Sequence, residues 1–301
     1  MKAVLLRGYG GVDQLEYGDA PDPVPQAGEV LVKLISTSVN PIDYKVREGL
    51  MRDRVPLKFP AILGRDMAGE VIGIGAGVTQ FKTGDRVMGF VNNTYAELVS
   101  AKAEALTLIP EGLDAENAGA LPLVTITGAQ LIERGVEPRG EATVLVTGAV
   151  GSVGRTAVHV AKQHGCRVFA GVKASQKKDA ESLAADAIVA LDEESGIASL
   201  PELDAIADTI GGEIAGKLVP KLKKSGTFAS VLGQPDAAKK AGAEVKAVFA
   251  QPDARRLHQL AEDVRDGKFS IPIGKRMRLS EIREAHIEAE KGSKGKIILV
   301  P

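Results

Sequence analysis

Two hydrophobic patterns follow one another along the chain. Before Asp114–Ala120, short apolar runs rich in β-branched residues are separated by turns that contain Gly or Pro, as in Lys2–Arg7, Glu29–Ser36 and Glu70–Ile74. Short strands at this spacing predict a small barrel or sandwich. After this point strand-like and helix-like segments alternate, which is typical of βαβ units and a parallel sheet. The predicted fold class is therefore α/β.

The alternating part of the chain contains enough strands for a complete dinucleotide-binding sheet, which has six. The strands are predicted at Ala142–Thr147, Arg167–Val172, Ala187–Leu191, Ala205–Asp208, Thr227–Leu232 and Glu244–Phe249. Helical periodicity predicts helices over Ser152–Gln163 and Asp179–Ala185. Further towards the C-terminus, the pattern predicts helices over Ala254–Asp266 and Ser280–Glu290 and a strand over Lys296–Val300.

Composition excludes several classes of protein. Among 301 residues, 38 basic and 39 acidic side chains nearly cancel, so no strong field favours nucleic acid or a membrane surface. The uncharged stretch Ala118–Ile132 is too short and too polar to cross a bilayer. One cysteine, Cys166, cannot form an internal disulfide, and the four histidines show no metal-binding pattern, so each is expected to be structural or exposed. We expect a cytoplasmic protein that binds neither nucleic acid nor a membrane.

The strongest local signal is a glycine-rich turn between a predicted strand and a predicted helix. It reads T-G-A-V-G-S-V-G from Thr147 to Gly154. The dinucleotide-binding pattern G-x-G-x-x-G falls on Ala149, Gly151 and Gly154, with Ala149 in place of the first glycine. The helix N-terminus that follows attracts anions, so the turn predicts a pyrophosphate site. The alternative is a glycine-rich turn that only reverses the chain.

The end of the second strand of this unit favours NADPH over NADH. An NAD site carries an acidic residue about 20 residues past the glycines, to bind the ribose 2′-hydroxyl. Here the sequence is A-G-V-K-A-S-Q-K-K, with no acid before Asp179. Lys173 and Ser175 stand where a 2′-phosphate would lie, and a lysine makes a charge-assisted hydrogen bond to such a group. The alternative is a solvated loop whose lysines begin a helix.

Together, the strand-rich N-terminal part and the glycine-rich turn resemble the medium-chain dehydrogenase/reductase superfamily over essentially the whole chain. The motifs that carry the resemblance include G-E-V-L-V-K (Gly28–Lys33), N-P-I-D-Y-K (Asn40–Lys45), L-G-R-D-M-A-G-E-V (Leu63–Val71), D-T-I-G-G (Asp208–Gly212) and K-G-K-I-I-L (Lys294–Leu299). This resemblance implies a GroES-like β-barrel catalytic domain with a Rossmann domain, a doubly wound parallel sheet, inserted into it. The implied boundaries are 1–117 for the first part of the catalytic domain, 118–252 for the Rossmann domain and 253–301 for the returning tail.

Within this superfamily the sequence is similar to the zinc-free quinone oxidoreductase branch, which includes zeta-crystallin-like and alkenal/enone reductases. Zinc alcohol dehydrogenases of the superfamily have an early Cys and a Gly-His-Glu segment, whereas this chain has Asn40–Lys45 and Gly64-Arg65-Asp66 at those places. Arg65 is always protonated and cannot ligate a metal. The resemblance therefore implies an NADPH cofactor, no metal, and hydride transfer to a quinone or an enone or enal.

The resemblance also assigns site residues. The implied cofactor contacts are Thr127, Ala149, Val150, Gly151, Ser152, Val153, Lys173, Ser175, Val231, Leu232, Ser293, Lys294, Gly295 and Lys296. The implied catalytic group is Lys45, Tyr44, Asn40 and Asp43. Lys45, Tyr44 and the Asn40 amide are the candidate donors to the oxygen that becomes negative, and the favoured role of Asn40 and Asp43 is to hold the loop and the ribose. For Lys45 the alternative is a surface charge, like Arg47, on a short helix. For Tyr44 it is a packed tyrosine, and for Asp43 it is a structural ion pair with Lys45.

Two further expectations concern partners and function. The predicted strand Glu244–Phe249 lies at the edge of the sheet, and an unpaired edge together with the family resemblance leads us to expect a homodimer. The other hypothesis for function is an NADPH-binding sensor or structural protein on the same scaffold, because a fold does not fix an activity.

Overall fold

The structure, a computed structural model, describes residues 1–234, 238–239, 242–292 and 294–301. The described chain divides into two compact units. Unit 1 comprises Met1–Leu123, Pro252–Gly267 and Ile271–Pro301, and unit 2 comprises Val124–Gln251 and Lys268–Ser270. Each unit is described by itself.

The described residues contain the following strands and helices. The strands are β1 (Lys2–Leu6), β2 (Leu15–Asp19), β3 (Glu29–Val39), β4 (Ala61–Ile62), β5 (Asp66–Ile74), β6 (Arg86–Phe90), β7 (Leu98–Lys102), β8 (Leu106–Leu108), β9 (Thr143–Thr147), β10 (Arg167–Val172), β11 (Ala187–Ala190), β12 (Leu203–Asp208), β13 (Leu222–Ser230), β14 (Glu244–Ala247), β15 (Ile273–Arg278) and β16 (Lys296–Val300). The helices are α1 (Pro41–Arg47), α2 (Ala115–Ala118), α3 (Pro122–Gln130), α4 (Ser152–Gln163), α5 (Lys177–Ala180), α6 (Glu194–Ala198), α7 (Gly212–Leu218), α8 (Ala254–Arg265) and α9 (Ile282–Glu290). Single 3₁₀ turns lie at Val12–Gln14, Ala103–Ala105, Ala174–Gln176, Val219–Lys221 and Leu279–Glu281, and a π-helical turn lies at Leu131–Val136.

Unit 1 is built from two sheets. The smaller has the order β2-β1-β4, and the larger has the order β15-β16-β3-β5-β6-β8, with β7 also paired to β3. All of these pairings are antiparallel except that of β15 with β16. In the first part of β3 alternate residues are buried (Val30, Val32, Leu34 and Ser36), as expected for a strand with one face on a core. That core includes Val4, Leu6, Val30, Val32, Met67, Val87, Leu279 and Ile297.

Unit 2 contains one six-stranded sheet of order β11-β10-β9-β12-β13-β14, and every pairing in it is parallel. This is the strand order of a doubly wound dinucleotide-binding sheet, so the predicted α/β fold class is confirmed. Strand β9 is central and its inner residues are buried on both faces, as expected for a parallel sheet covered by helices. The carboxyl ends of β9, β12 and β13 are therefore neighbours at one edge.

The helix predicted over Asp179–Ala185 is wrong in position. Helix α5 runs from Lys177 to Ala180 only. The chain leaves the helix early because the amide of Leu183 bonds the carbonyl of Ala180 in a turn, and the carboxylate of Asp186 accepts from the amide of Val168 on β10. Because of these contacts, residues 183–186 form the non-helical connection that leads into β11.

Candidate active site

The glycine-rich turn lies in unit 2, at the carboxyl end of the central strand β9. The strand ends at Thr147, Gly148 has φ +61°, and α4 begins at Ser152 after Gly151. A Cβ at Gly154 would lie 2.2 Å from the carbonyl oxygen of Gly148, so only glycine lets the helix start this close to the turn. The first amides of a helix have no carbonyl partner within it and bind anions. This cradle fits a pyrophosphate.

Of the other residues predicted in the turn, Ala149 is fully buried and its amide bonds the carbonyl of Gly171 on β10. Val150, Ser152 and Val153 are half-buried. The carbonyl of Val150 accepts from the side chain of Arg155, 2.9 Å away, which fixes the turn against the first turn of α4. The turn thus presents backbone rather than reactive side chains.

Lys173 and Ser175 follow strand β10 and both are exposed. The segment that carries them is held by two backbone contacts: the amide of Lys173 donates to Gln176 Oε1 (3.1 Å), and the amide of Ala174 donates to Asp192 Oδ1 (2.7 Å). Asp192, which follows β11, is an acid that the sequence reasoning did not consider. Its carboxylate shapes the turn from which the Lys173 side chain extends.

The remaining predicted contacts of unit 2 are Thr127, Val231 and Leu232. Thr127 is half-buried on α3, and the side chain of Leu232 is exposed to 47%. Val231 follows β13, and its amide bonds the carbonyl of Asp208 on β12. Val231 and Leu232 thus leave the same edge of the sheet as the glycine-rich turn.

In unit 1, the motif Asn40–Lys45 forms the start of helix α1. Asn40 is extended (φ −124°, ψ 154°) and caps the helix, with Pro41 in its first turn. The carboxylate of Asp43 accepts from the amide of Asn40 (2.8 Å) and from the hydroxyl of Tyr95 (2.9 Å). Burial raises the pKa of Asp43 to about 6, although both hydrogen bonds oppose the rise. The described hydrogen bonds of the Asp43 side chain are thus those from Asn40 and Tyr95.

The side chain of Asn40 belongs to a buried polar cluster that also contains Asp66 and Lys296. Asn40 Nδ2 donates to Asp66 Oδ2 (2.7 Å), and Lys296 Nζ donates to Asn40 Oδ1 (2.6 Å). Lys296 Nζ also lies 3.4 Å from Asp66 Oδ2, and the Asp66 carboxylate accepts from Ser38 Oγ (2.5 Å) and from the amide of Leu123 (2.7 Å). Burial lowers the pKa of Lys296, and the charge of Asp66 partly offsets this. Both groups of the Asn40 amide are engaged within the protein.

Tyr44 and Lys45 lie on the half-buried side of α1, whereas Asp43, Val46 and Arg47 are buried. Burial, followed by the charges of Glu290 and Glu48, raises the pKa of Tyr44, so its phenol keeps its proton. Both predicted donors therefore keep part of their surface exposed.

Arg47 is not the surface charge that was considered for it. Its guanidinium is 2% exposed and donates to the carbonyl of Gly10 (3.0 Å), to His286 Nδ1 (3.2 Å) and to the carboxylates of Glu290 and Glu48 (2.7 Å each). The charge is buried because these acceptors replace water around it. The fully buried His286 confirms, for this histidine, the expectation of a structural role.

The other predicted residues of the returning tail lie just before strand β16. Lys294 is exposed, and Gly295 has φ +86°. Ser293 lies outside the described residues. Lys296 is the first residue of β16 and belongs to the buried cluster described above.

Sequence reasoning missed Asp66, Tyr95 and His286 as partners of the predicted residues. Asp66 belongs to Gly64-Arg65-Asp66, which stands where zinc alcohol dehydrogenases have Gly-His-Glu. That position in the sequence was a usable signal. Tyr95 and His286 carried no local signal, because their partners lie 52 and 239 residues away. Among the residues that the structure describes, no group of three or more His, Cys, Asp or Glu side chains could hold a metal ion, and no helix is long and apolar enough to span a membrane.

Comparisons with known proteins agree along the whole chain. Residues 26–112 match the family model of the alcohol dehydrogenase GroES-like domain, and residues 183–299 match the model named zinc-binding dehydrogenase. A chloroplast envelope quinone oxidoreductase homolog of Arabidopsis thaliana is 32% identical, covering 100% of this chain and 98% of the relative.

Solved structures give the same result. The quinone oxidoreductase from Coxiella burnetii superposes with a TM-score of 0.89 at 28% identity, covering 100% of this chain and 99% of the other. A mycobacterial protein, Rv1454c, solved in complex with NADPH, has a TM-score of 0.87 at 26% identity and covers both chains fully. The predicted GroES-like and Rossmann folds are therefore confirmed.

Proposed function

Because the chain belongs to the medium-chain dehydrogenase/reductase superfamily and, within it, to the quinone oxidoreductase branch, we propose that it is an NADPH-dependent, zinc-independent reductase of quinones or of α,β-unsaturated carbonyl compounds. The observation that carries the proposal is the turn between β9 and α4, where Gly154 leaves no room for a side chain. Bound NADPH would supply a hydride to the quinone or to the β-carbon of the enone.

The residues that would hold NADPH are proposed from unit 2. The amides at the start of α4 would bind the pyrophosphate, with Ala149, Val150 and Gly151 shaping the approach. Lys173 and Ser175, both exposed beyond β10, would bind the 2′-phosphate through charge-assisted and hydroxyl hydrogen bonds. The assigned contacts of Thr127, Val231, Leu232 and residues 293–296 remain proposals from family resemblance.

The substrate oxygen becomes negative when hydride is added, so donors directed at it lower the barrier. We assign this role to Lys45, with Tyr44 as the second donor, because both are half-buried on α1 and carry a polar hydrogen. Asn40 and Asp43 are assigned to positioning, since their polar atoms already bond Asp66, Lys296 and Tyr95.

Zinc independence is proposed from the chemistry of the buried cluster in unit 1. The ammonium of Lys296 lies 2.6 Å from Asn40 Oδ1 and 3.4 Å from Asp66 Oδ2. A divalent cation near the same oxygens would be repelled by that buried positive charge. We expect activity to survive dialysis against a chelator, and loss of activity that zinc restores would refute this part of the proposal.

The test is to follow NADPH absorbance with a panel of quinones and short enals and enones. Turnover with at least one acceptor, with NADPH preferred over NADH in kcat/KM, is the expected result. NADPH binding without turnover of any acceptor would favour the sensor or structural hypothesis instead. The Lys173→Ala variant should lose the preference for NADPH, and an unchanged preference would refute the 2′-phosphate assignment.

The catalytic assignment is tested separately with Lys45→Ala. Loss of a donor to the developing charge typically costs about 3 kcal/mol, so kcat should fall by about a hundredfold with little change in NADPH affinity. The matched control is Lys33→Ala, which removes an exposed lysine of β3 in the same unit. Equal loss of kcat and cofactor affinity in Lys45→Ala would contradict a chemical role.

A homodimer and a cytoplasmic location are also proposed. Among the described strands, β14 lies at the end of the sheet order, and we propose that its outer edge pairs with a second copy. Sedimentation at micromolar concentration should give twice the mass of one chain, and the mass of one chain would refute the dimer. Fractionation of the source cells tests the location.

A further inference from the structure

A buried carboxylate lies where three neighbouring strands of unit 2 end. Asp208, the last residue of β12, is 0% exposed. Its carboxylate accepts hydrogen bonds from the hydroxyls of Thr147 (2.9 Å) and Ser230 (2.8 Å), which end β9 and β13, and from the amides of Ile210 (3.2 Å) and Gly211 (3.0 Å). These four donors are neutral. Among the described contacts, it is therefore hydrogen bonds that offset the cost of burying this carboxylate.

The hydroxyls of Thr147 and Ser230 that donate to Asp208 also accept hydrogen bonds from residues that follow the strands. Thr147 Oγ1 accepts from the amide of Thr209 (2.9 Å), and Thr209 Oγ1 donates to the carbonyl of Thr147 (2.7 Å). Ser230 Oγ accepts from the amide of Leu232 (3.1 Å). Three segments leave this edge of the sheet: the glycine-rich turn, residues 209–211 and residues 231–232. Each is hydrogen-bonded to the Asp208 carboxylate, either directly or through one hydroxyl.

Residues 209–211 also pack directly against the glycine-rich turn. A Cβ at Gly148 would lie 2.5 Å from Thr209 Oγ1, so Thr209 packs directly against the first glycine of the turn. A shift of residues 209–211 would therefore displace Gly148 or open a gap beside it. A ligand held by backbone amides needs those amides fixed before it binds, because ordering them on binding costs affinity.

We propose that Asp208 is a positioning residue for the dinucleotide site: its carboxylate fixes the turn, residues 209–211 and residues 231–232 in the arrangement that binds the cofactor, without contacting the cofactor. The inference rests on the proposed function, because it takes NADPH to be the ligand of this site. A carboxylate suits this place because it only accepts, so four donors can converge on it. An amide at the same position would present two N–H groups to a site lined with donors.

The test compares Asp208→Asn and Thr147→Val with matched variants in the full chain. Thr147→Val keeps the shape and removes the hydroxyl, and Thr147→Ser restores the hydroxyl. Asp204→Asn is the control on the same strand: Asp204 lies near the amino end of β12 and bonds the amide of Thr143 and Lys223 Nζ. Calorimetric titration measures the Kd for NADPH, steady-state kinetics separate kcat from the KM for NADPH, and melting confirms that each variant is folded.

We expect Asp208→Asn and Thr147→Val to raise the Kd and KM for NADPH by about tenfold or more, with a smaller change in kcat at saturating NADPH, because loss of fixed donors weakens binding. Thr147→Ser should recover most of the affinity, and Asp204→Asn should bind NADPH as the wild type does. A wild-type Kd in folded Asp208→Asn and Thr147→Val, or an equal loss in Asp204→Asn, would overturn the proposal.

Amide hydrogen exchange in the ligand-free protein supplies a readout that does not depend on the cofactor. The amides of Gly211 and Leu232 should exchange faster in Asp208→Asn than in the wild type, while those in the middle of β9 should not change. If the wild type failed to bind NADPH, the proposed function would fail, and this exchange pattern would still decide whether Asp208 fixes residues 209–211 and 231–232. Unchanged exchange at both amides would refute the inference, as would faster exchange with an unchanged Kd for NADPH.

Discussion

Replacement of His286 by Gln is expected to abolish a loss of stability that acid causes in the wild type. The imidazole is fully buried, with Nδ1 3.2 Å from Nη1 of Arg47. A guanidinium only donates, so Nδ1 accepts and the ring is neutral. Burial, followed by the charge of Arg47, lowers the pKa of His286 to about 3.

The size and sign of the effect follow from this shift. An unfolded histidine titrates with a pKa near 6.5, so between pH 6.5 and 3 the unfolded chain binds a proton that the folded chain does not. The contribution of His286 to stability is complete above pH 6.5 and is lost progressively as the pH falls. The loss amounts to about 2 kcal/mol between pH 7 and pH 5, and to roughly 4 kcal/mol by pH 3.

The assay is urea unfolding of the wild type and His286→Gln at pH 7 and pH 5. The free-energy difference between the two proteins should change by about 2 kcal/mol in favour of the variant on acidification. His164→Gln, which alters a 43% exposed histidine, serves as the control and should leave the wild-type pH dependence intact. Parallel pH dependence in the wild type and His286→Gln would show that the pKa of His286 is the same in the folded and the unfolded chain, and would refute the reasoning.

Three further predictions concern the same two units. Asp43, whose pKa burial raises to about 6, keeps its proton in the fold at pH values where the unfolded chain has lost it. Between pH 7 and pH 5 this contributes about 1 kcal/mol of stability, which partly offsets the loss at His286, and urea unfolding of Asp43→Asn should lack this contribution. Lys296→Met leaves Asp66 as a buried charge without its cation, and thermal and urea unfolding should show a loss of about 3–5 kcal/mol. Gly154→Ala puts a methyl group 2.2 Å from the Gly148 carbonyl oxygen, so NADPH binding measured by fluorescence should weaken by about a hundredfold or vanish.

Each of these has a matched control. Asp53→Asn and Lys294→Met change exposed residues of unit 1 and should leave stability within about 0.5 kcal/mol. Gly18→Ala adds a methyl group whose nearest contact is Glu16 Oε1 at 3.6 Å, and it should not alter NADPH binding. A variant that matched its control would contradict the corresponding prediction.

The sequence was most informative where structure is set locally. The prediction for helix α4 (Ser152–Gln163) and those for strands β10 and β16 match the structure residue for residue, because apolar periodicity and flanking glycines mark their ends. Strand β3 runs to Val39, three residues beyond its prediction. Its last residues, Thr37 and Ser38, are polar, and their burial depends on pairing with β16, which no local pattern records.

Neither the buried polar cluster nor the burial of Arg47 could be predicted, for the same physical reason. Arg47 and Lys296 are long cations that usually lie on the surface, and they are buried here only because acceptors from distant parts of the chain meet them. The pattern around Asn40 indicated a site but not the partners that engage its amide. The roles of Lys45, Tyr44 and the cofactor contacts stay predictions.

The pairing of β16 with β3 bears on how the protein is made. Lys296 and Val39, which are joined by a hydrogen bond, lie 257 residues apart in the chain. At ordinary rates of synthesis the ribosome needs roughly 10–50 s to travel that distance. Throughout that interval residues 37–39 lack their pairing with β16, whereas Val124–Gln251, which forms most of unit 2, is translated before Lys296 is added. A chain interrupted before Lys296 would therefore contain every strand of the parallel sheet but would lack the ammonium that lies 3.4 Å from Asp66.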